Sequence, residues 1–214
     1  MSALKSSKVQ VGISTNPNNN FVIDASQADG TLKISRGNIG ATTQTVLEIP
    51  ATEGSVQRVL VRPSKIASGP LVEFSPLDGT GIPPWAKEIN ISFTELSTSG
   101  TFNPVVQLGN VTYKVTGYAG TQVLLTGGVG AGNLSVGFQL GGSGATAVRN
   151  GSFVLTNQGP NNWVCLGTSG SSDSPGVAVC SGYVSLSSTM DRLRIYAGGV
   201  DVFDSGSISL LIKG

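Results

Sequence analysis

The side chains that most often perform catalysis are thinly represented in this sequence. It contains no histidine, so a Ser-His-Asp or Cys-His arrangement cannot form within one chain, and the commonest general base is missing. The only dense group of acidic residues comprises Asp191, Asp201 and Asp204. Such carboxylates could hydrolyse a glycan or hold Ca²⁺ or Mg²⁺. Because Asp201 and Asp204 stand beside turn glycines, where aspartate caps the backbone, we predict a structural role and no catalytic residue, metal or cofactor.

Cys165 and Cys180 are the only cysteines, and they lie in strand-like segments on either side of a Gly/Ser-rich loop. Cross-strand neighbours at this spacing can touch. We predict two reduced thiols that pack in the core as small apolar groups. A disulfide formed after release into an oxidising exterior is the alternative, and the sequence leaves it open.

Two glycine-rich stretches, residues 126–132 and 141–144, invite comparison with phosphate-binding loops. A P-loop requires its glycine run to open a helix and to carry Gly-Lys-Ser or Gly-Lys-Thr. Neither condition is met here. We therefore interpret both stretches as wide turns between strands.

The composition favours an all-β chain. Of the 214 residues 30 are glycine and only 12 % are charged, so the usual fillers of exposed helices are scarce. Leu193 and Ile195 alternate with polar neighbours, as in a strand with one buried face. Strand-like segments recur at the spacing of β-sandwiches and jelly rolls, so we predict an antiparallel, jelly-roll-like β-sandwich preceded by a small β module. The predicted strands are residues 9–13, 21–24, 32–35, 46–49, 56–61, 71–74, 88–93, 105–108, 112–118, 122–125, 135–140, 151–155, 163–166, 176–180, 183–186, 192–197 and 207–212.

Proline marks the predicted domain boundary. Six of the ten prolines fall from Pro50 to Pro84, which is typical of a linker, and we place the boundary near Pro63. The domains are then an N-terminal module, residues 1–62, and a sandwich, residues 63–214. The module has too few apolar side chains to offset the ordering entropy of its chain, so we expect it to fold by association.

The charge pattern argues against two classes of partner. The net charge is +1 and the basic residues are scattered, whereas proteins that bind nucleic acid or anionic membranes usually carry a basic patch. Between Leu96 and Met190 the charged residues are Lys114, Arg149 and Asp173. A neutral polar surface of this extent suits packing against identical subunits, or contact with neutral glycans or protein. We expect no nucleic-acid partner.

The first residues, MSALKSSKVQ, lack the apolar core of a secretory signal, and no run of about 18 apolar residues occurs. We therefore expect a chain that is made in a cytoplasm and does not insert into a membrane.

Several stretches of the sequence resemble fibre proteins of tailed phages and prophages. DRLRIY at residues 191–196 and DVFDSGSISLLI at residues 201–212 carry the likeness near the C-terminus, and WAKEINISF, LSTSG, VVQLG and NWVC extend it over residues 70–214. NNFVIDASQADGTLKISRGNIGATTQTVLEI, at residues 19–49, resembles a short module that recurs in such proteins. The resemblance implies a structural, non-enzymatic protein of the virion. Its N-terminal module would attach to the particle or trimerise, and its β-sandwich head would bind the host surface.

The resemblance also implies a homotrimer, with other virion proteins and a host-surface glycan or protein as partners. Trp85 and Trp163 match strand positions of the family, so we predict that they pack in the core and do not form a sugar platform. The candidate host-contact residues lie in predicted loops: Ser97, Thr98, Ser99, Phe102, Thr126, Val129, Asn133, Ser143, Thr146, Thr168, Ser171 and Asp173. The candidate particle-attachment residues are Val9, Val11, Ile13, Phe21 and Ile23.

Two alternative functions stay open. In the first, the protein is a capsid decoration protein or head fibre, which stabilises or decorates the shell. In the second, it is a small glycan-binding module with no role in a virion.

Overall fold

The structure is a computed structural model, and it describes residues 8–11, 20–24, 32–38, 41–49, 58–125, 129–141, 144–172 and 176–214. The chain divides into two compact units, Met1–Gln57 and Arg58–Gly214. The strands of both units pair antiparallel. Among the described residues the only helical element is a short 3₁₀ turn, Pro76–Asp78. The prediction of an all-β chain is confirmed.

The first unit contains a four-stranded antiparallel sheet in which each strand pairs with the next along the chain. Its strands are β1 (Lys8–Val11), β2 (Phe21–Asp24), β3 (Leu32–Asn38) and β4 (Ala41–Ile49). β2 has its predicted bounds. β3 and β4 are longer than predicted, because their backbone pairing continues through polar residues as far as the pair Asn38 and Ala41.

Two antiparallel sheets form the second unit. The strands of the larger sheet are β5 (Val59–Ile66), β7 (Glu88–Thr98), β10 (Tyr118–Leu125), β11 (Val129–Asn133), β13 (Arg149–Gly159), β14 (Asn162–Ser171), β15 (Val177–Ser185) and β17 (Phe203–Lys213). Those of the smaller sheet are β6 (Leu71–Phe74), β8 (Val105–Asn110), β9 (Thr112–Tyr113), β12 (Phe138–Gln139) and β16 (Arg192–Tyr196). The order in the larger sheet is β11-β10-β15-β14-β13-β7-β17-β5; in the smaller it is β12-β8-β16-β6, with β9 also paired to β8.

One apolar core lies between these sheets, and the period-2 alternation of the strands fills it. In β16 of the smaller sheet, Leu193 and Ile195 are buried while the residues between them face outward. In β17 of the larger sheet, Ile208, Leu210 and Ile212 are buried. All five belong to the same core cluster. The unit is therefore of the sandwich type, and the predicted alternation of its last strands is confirmed.

Tyr118 joins the two sheets by a hydrogen bond. Its hydroxyl accepts from the backbone N–H of Leu108 in β8 at 2.8 Å and donates to the carbonyl oxygen of Lys114 at 3.2 Å. The ring packs edge-on against Phe138, with 5.0 Å between centroids. Burial raises the pKa of the Tyr118 phenol to about 12. A backbone donor inside the sandwich thus finds its partner on a side chain.

Cys165 and Cys180 are both buried free thiols, as predicted. They are diagonal neighbours two residues apart in the β14–β15 register, in which Cys165 pairs with Gly182 and Cys180 with Gly167. Burial raises the pKa of the Cys165 thiol far above its usual range. Since the thiolate is the reactive form, this side chain is inert near neutral pH.

The boundary predicted near Pro63 lies inside β5. Proline lacks an amide hydrogen, so the predicted strand stops before it, but β5 is an edge strand that pairs only with β17. Pro63 also stands where the β5–β17 register shifts, opposite the step from Ile208 to Leu210. Edge strands and bulges are the places where a sheet tolerates proline. The strand therefore continues to Ile66.

Several predicted turns and strands differ in the structure. Residues 112–118 divide into β9 and the start of β10, because Gly117 turns the chain at φ 79°. The glycine-rich stretch after residue 125 contains β11, which backbone pairing with β10 holds without apolar alternation. Gly206, at φ 103°, lies within β17 and marks a bulge against β7 where a chain reversal is predicted. Residues 176–180 and 183–186 are predicted as two strands, but β15 runs unbroken to Ser185.

The two ends of the sandwich unit are hydrogen-bonded to each other. The N–H of Arg58 donates to the carbonyl oxygen of Gly214 at 2.7 Å, and the N–H of Gly214 donates to the carbonyl oxygen of Arg58 at 3.0 Å. The last strand is thereby fixed beside the first strand of the unit.

Candidate functional site

Two of the predicted host-contact residues are buried, which corrects their assignment. Ser97 and Thr98 belong to β7 and have little exposed surface. β7 continues past the loop predicted there, because Thr98 pairs with Phe203 at the start of β17. Their side chains are consequently covered and do not offer a contact surface.

Ser99 and Phe102 are exposed and lie beside the turn between β16 and β17. The N–H of Ser99 donates to the carbonyl oxygen of Val202 at 2.9 Å, and the N–H of Val202 donates to the Ser99 hydroxyl at 3.1 Å. The N–H of Phe102 donates to a carboxylate oxygen of Asp201 at 2.9 Å. These bonds tie the segment after β7 to the β16–β17 turn, although the two are remote in the sequence.

The other predicted contact residues lie at separate places in the structure. Asn133 is exposed at the end of β11, and Thr146 is exposed between β12 and β13. Thr168 and Ser171 belong to β14, the first exposed within the sheet and the second half-buried at the strand end. Val129 begins β11. Thr126, Ser143 and Asp173 lie outside the described residues.

The predicted particle-attachment residues gather on the first two strands. Val9 pairs with Ile23, and Val11 pairs with Phe21, in the β1–β2 register. Val11 is exposed and Ile23 is half-buried. Ile13 lies outside the described residues. The structure therefore brings four of the five residues into one strand pair, and their role in attachment stays a prediction.

Two of the three aspartates in the acidic group accept hydrogen bonds from backbone N–H groups. Asp201 is buried and accepts from the N–H of Phe102. Asp191 accepts from the N–H of Val111 at 3.2 Å and pairs with the guanidinium of Arg192 at 2.8 Å. Arg192 and the Val111 N–H together hold the pKa of Asp191 below its usual range. Within the described part of the chain, no three His, Cys, Asp or Glu side chains are close enough to hold a metal ion.

A groove opens on the outer face of the smaller sheet. Its volume is about 620 Å³. The aromatic residues in it are Phe102 and Tyr196, and the hydroxyl of Tyr196 donates to the carbonyl oxygen of Gly199 at 2.8 Å. We call this cavity the groove, and the residues that line it are Thr101, Phe102, Asn103, Val105, Gln107, Val115, Val136, Gln139, Arg194, Tyr196, Gly198 and Gly199.

Arg194 is fixed at the floor of the groove. Its Nε donates to Oε1 of Gln107 at 2.8 Å, and Nε2 of Gln107 donates in turn to the carbonyl oxygen of Val136 at 2.8 Å. The guanidinium carbon lies 4.3 Å from the ring centroid of Tyr113 and 5.5 Å from that of Tyr196. These contacts arise because β16 pairs with β8, which places Arg194 opposite Gln107. The cation is therefore held between two aromatic rings.

The Phe102 ring forms one wall of the groove, and two glycines make room for it. A Cβ on Gly198 would lie 2.7 Å from Cβ of Phe102, and a Cβ on Gly199 would overlap the Phe102 ring. Both glycines have positive φ, 101° and 49°. The Gly-Gly pair thus both turns the chain after β16 and lets an aromatic side chain lie against the turn.

Tyr113 lies beside Arg194 on the same outer face. Burial raises the pKa of its phenol far above the usual range, and the neighbouring Glu73 carboxylate raises it further. The phenolic oxygen is nevertheless buried and has no hydrogen-bond partner among the described residues. Glu73 is therefore close enough to act on the phenol by its charge, although the geometry does not make a hydrogen bond.

The outer face of the larger sheet is different in kind. None of the outward-facing residues of β10, β13, β14 and β15 is charged, and all four strands are described from end to end. Leu166 is 60 % exposed and Tyr183 is 54 % exposed on this face. Val164 pairs with Tyr183, and Leu125 with Val177, so the exposed apolar side chains adjoin each other. We call this surface the uncharged face.

Arg149 contributes no charge to that surface, although it belongs to β13. Its side chain is fully buried. Nε donates to the carbonyl oxygen of Gly141 at 2.7 Å, and Nη1 donates to that of Ala147 at 3.3 Å. Arg149 is one of three charged residues between Leu96 and Met190. Its guanidinium is directed inward and donates to backbone carbonyl oxygens.

The tryptophans pack as predicted. Trp163 is buried in the core cluster, and Trp85 is half-buried against it. Trp163 therefore offers no ring face to a sugar, and the guanidinium carbon of Arg58 lies over the Trp85 ring, 6.0 Å from its centroid. The aromatic wall that is open belongs to Phe102, which the sequence analysis placed among contact loops for its position alone.

The groove was not predicted from the sequence. The signal was present, since Arg192, Arg194 and Tyr196 are the outward-facing half of a strand whose alternation is clear. The same alternation identified only Leu193 and Ile195 as the buried side of the strand, and it assigned no role to the outward-facing side. Sequence alone does not reveal that Gln107 and Phe102 meet this strand, because both contacts depend on the order of the strands.

No family model, no curated protein and no solved structure matches the chain. No helix in the described ranges is long and apolar enough to cross a membrane.

Proposed function

We propose that this chain is a structural, non-enzymatic virion protein of the fibre type, which acts as a homotrimer. In this proposal the first unit attaches to the particle, and the sandwich unit is a head that binds the host surface. The resemblance of residues 19–49 and 191–212 to phage fibre proteins suggests the class. The uncharged face is the observation that carries the proposal, because it supports packing against further copies of the same chain.

Desolvation favours the uncharged face as a subunit interface. Burying a charged side chain in an interface is costly, so the centres of subunit interfaces are depleted of charge and enriched in aromatic residues. Leu166 and Tyr183 are both more than half exposed here, and strand pairing places Val164 beside Tyr183. Adjoining apolar side chains of this kind on a soluble protein indicate a site of protein contact. A neutral face also imposes no charge requirement on its partner, so it can pack against a different surface of an identical chain, as the three-fold symmetry of a trimer requires.

Light scattering tests this proposal through mass in solution. We expect the full chain to have the mass of a trimer. The substitution Leu166→Glu places an unpaired carboxylate on the uncharged face, and we expect it to weaken association by roughly tenfold or more. Leu77→Glu is the matched control, since Leu77 is 86 % exposed on the 3₁₀ turn Pro76–Asp78. This variant should remain a trimer.

Two results would count against the proposal. A monomeric full chain would contradict the homotrimer and would favour the decoration protein, in which order arises on the particle. A trimer that Leu166→Glu leaves intact would assign association to other residues, and so remove the role of the uncharged face. Labelling of particles with an antibody separates tail from capsid, since a decoration protein would be found at capsid three-fold positions.

A glycan-binding module without a virion role is the second candidate, and the groove favours it. A groove with aromatic walls and a fixed cation is suited to a small polar ligand. Tight glycan binding by a monomer would support this candidate over the fibre.

A further inference from the structure

The groove has the size and the lining of a small-ligand site. Its volume of about 620 Å³ lies within the range of roughly 300–1,000 Å³ that is usual for such sites. Phe102, Val115 and Val136 are all large apolar residues with exposed side chains, and all three line it. Their convergence on one cavity with a few fixed polar groups is typical of a binding site rather than of scattered surface residues.

Arg194 gives the groove its charge requirement. It is the only charged residue among the described residues that line the cavity. Its neighbour on the same face, Arg192, is already paired with Asp191, whereas Arg194 forms no ion pair with any described residue. Its Nε is committed to Gln107, which fixes the plane of the guanidinium. The terminal nitrogens are left for a ligand, and their planar fork matches a carboxylate.

Asn103 supplies a place for a hydroxyl donor. The residue is among those that line the groove. Its Oδ1 is covered and has no hydrogen-bond partner in the described part of the chain, so a ligand reaches this acceptor only when the side chain turns outward, which gives the oxygen the partner that it lacks. Gln139 lines the same cavity from β12 and adds an amide that can both donate and accept.

An acidic sugar satisfies these three requirements together. Its carboxylate complements Arg194, its hydroxyl groups match the amides of Asn103 and Gln139, and its apolar ring face can cover Phe102. From this geometry we infer that the groove binds an acidic sugar residue of a surface polysaccharide. The inference rests on the proposed host-surface function, and it adds the site and the chemistry of the ligand.

Titration followed by ligand-observed NMR tests the inference on the full chain. The probes are methyl glucuronide, methyl glucoside, which lacks the carboxylate, and acetate, which lacks the sugar. We expect the glucuronide to bind about tenfold more tightly than the glucoside, because only its carboxylate can pair with the guanidinium. Acetate should compete weakly, since it cannot reach Asn103 and Phe102 as well.

Three variants locate the binding. Arg194→Gln should reduce glucuronide affinity to that of the glucoside. Arg192→Gln is the matched control, because it removes an arginine from the same strand and face outside the groove, and it should leave the affinity unchanged. Phe102→Ala should weaken both sugars by a similar factor. Because Phe102 is 52 % exposed, this variant keeps the test valid even where Arg194→Gln fails to fold.

Several results would overturn the inference. These are equal affinity for both sugars, acetate that binds as well as the glucuronide, glucuronide binding that survives Arg194→Gln, or the absence of sugar binding. Light scattering on the same samples separates such a failure from failure of the proposed function. A trimer that binds no sugar removes only the groove, whereas a monomer that binds glucuronide removes the fibre and keeps the groove.

Discussion

The two outer faces of the sandwich have opposite chemistry, although strands of the same kind build them. On the larger sheet, β10, β13, β14 and β15 present aliphatic and small polar side chains without a charge. On the smaller sheet, Glu73, Arg192 and Arg194 face outward among tyrosines. The uncharged face has no cation or anion to select a partner, since the ion pair of Lys213 and Glu88 on the larger sheet belongs to β17 and β7. The smaller sheet holds a cation in a cavity. The same sandwich thus offers one surface suited to copies of itself and another suited to a small charged ligand.

This difference shows that the location of the few charged residues matters as much as their number. Arg149 is placed inside, where it donates to backbone carbonyls, and Arg194 is placed outside, where Gln107 fixes it. Composition counts both as basic residues. Only the strand order determines which of them a partner can meet.

The largest effect that we expect is on stability, and it distinguishes the inner side of β14, which faces the core, from its outer side on the uncharged face. A Cβ on Gly167 of β14 would overlap the Phe153 ring, whereas a Cβ on Gly170 of the same strand meets nothing within 4 Å. Gly167→Ala should lower the free energy of unfolding by about 3 kcal/mol, at the upper end of overpacking effects. Gly170→Ala should change it by less than about 1 kcal/mol. Urea unfolding at fixed protein concentration measures both, and equal losses would contradict the assignment of inner and outer sides.

The second prediction compares tyrosines on the two sides of the smaller sheet. Tyr118→Phe leaves the buried N–H of Leu108 without its acceptor, so we expect a loss of about 1–2 kcal/mol. Tyr113→Phe removes a buried hydroxyl that has no partner among the described residues, so stability should stay within about 0.5 kcal/mol or rise. Urea midpoints of the two variants test this pair. A larger loss for Tyr113→Phe would show that its hydroxyl has a partner after all.

Alkaline pH provides a second test of the buried Tyr118 phenol. The folded-state pKa of Tyr118 is raised to about 12, so its protonated form is favoured in the folded chain. That contribution to stability is complete below the ordinary tyrosine pKa of about 10. It is lost as pH rises from there through the folded pKa. The urea midpoint should consequently fall less steeply above roughly pH 10 in Tyr118→Phe than in the unchanged chain.

Salt should affect the two faces differently. Association through the uncharged face involves no ion pair, so the trimer should persist when NaCl is raised from about 0.05 M to about 0.5 M. Glucuronide binding at Arg194 should weaken several-fold over the same range, because the ions screen the attraction. Light scattering and NMR titration provide the two measurements. A trimer that dissociates in salt would indicate that charged residues elsewhere hold it together.

The smallest effect concerns the acid that neutralises Arg192. Arg192 and the Val111 N–H hold the pKa of Asp191 below its usual value near 3.9. The stability that this carboxylate provides is therefore present above that value and is lost as pH falls below it. Asp191→Asn should flatten the decline of the urea midpoint below roughly pH 4. Asp204→Asn is the matched control, because it removes an exposed carboxylate from β17.

Much of the fold was predictable because alternation is a local signal. β2 has its predicted bounds, and the buried residues of β16 and β17 follow directly from period 2. The errors lie where pairing overrides the local pattern. β5 crosses Pro63 because it is an edge strand with a bulge, and β11 forms from glycine-rich sequence because β10 offers its backbone groups.

The candidate site was much less predictable, because the residues that form it are far apart in the sequence. Residue types and turn glycines indicated loops, and the structure covers Ser97 and Thr98 with the start of β17. The groove joins Phe102 to the Gly198–Gly199 turn and Gln107 to Arg194. These contacts depend on sheet order, on which a single sequence carries no direct signal.

The paired ends of the sandwich unit have a practical consequence for labelling. Because Arg58 and Gly214 exchange two backbone hydrogen bonds, anything fused after Gly214 would emerge where the preceding chain enters. A reporter at that point would lie beside Arg58, where the sandwich unit begins. Val200 lies in the turn at the other end of β17 and is 92 % exposed. Since a strand advances about 3.3 Å per residue, an insertion there would stand roughly 30 Å from Arg58 and Gly214.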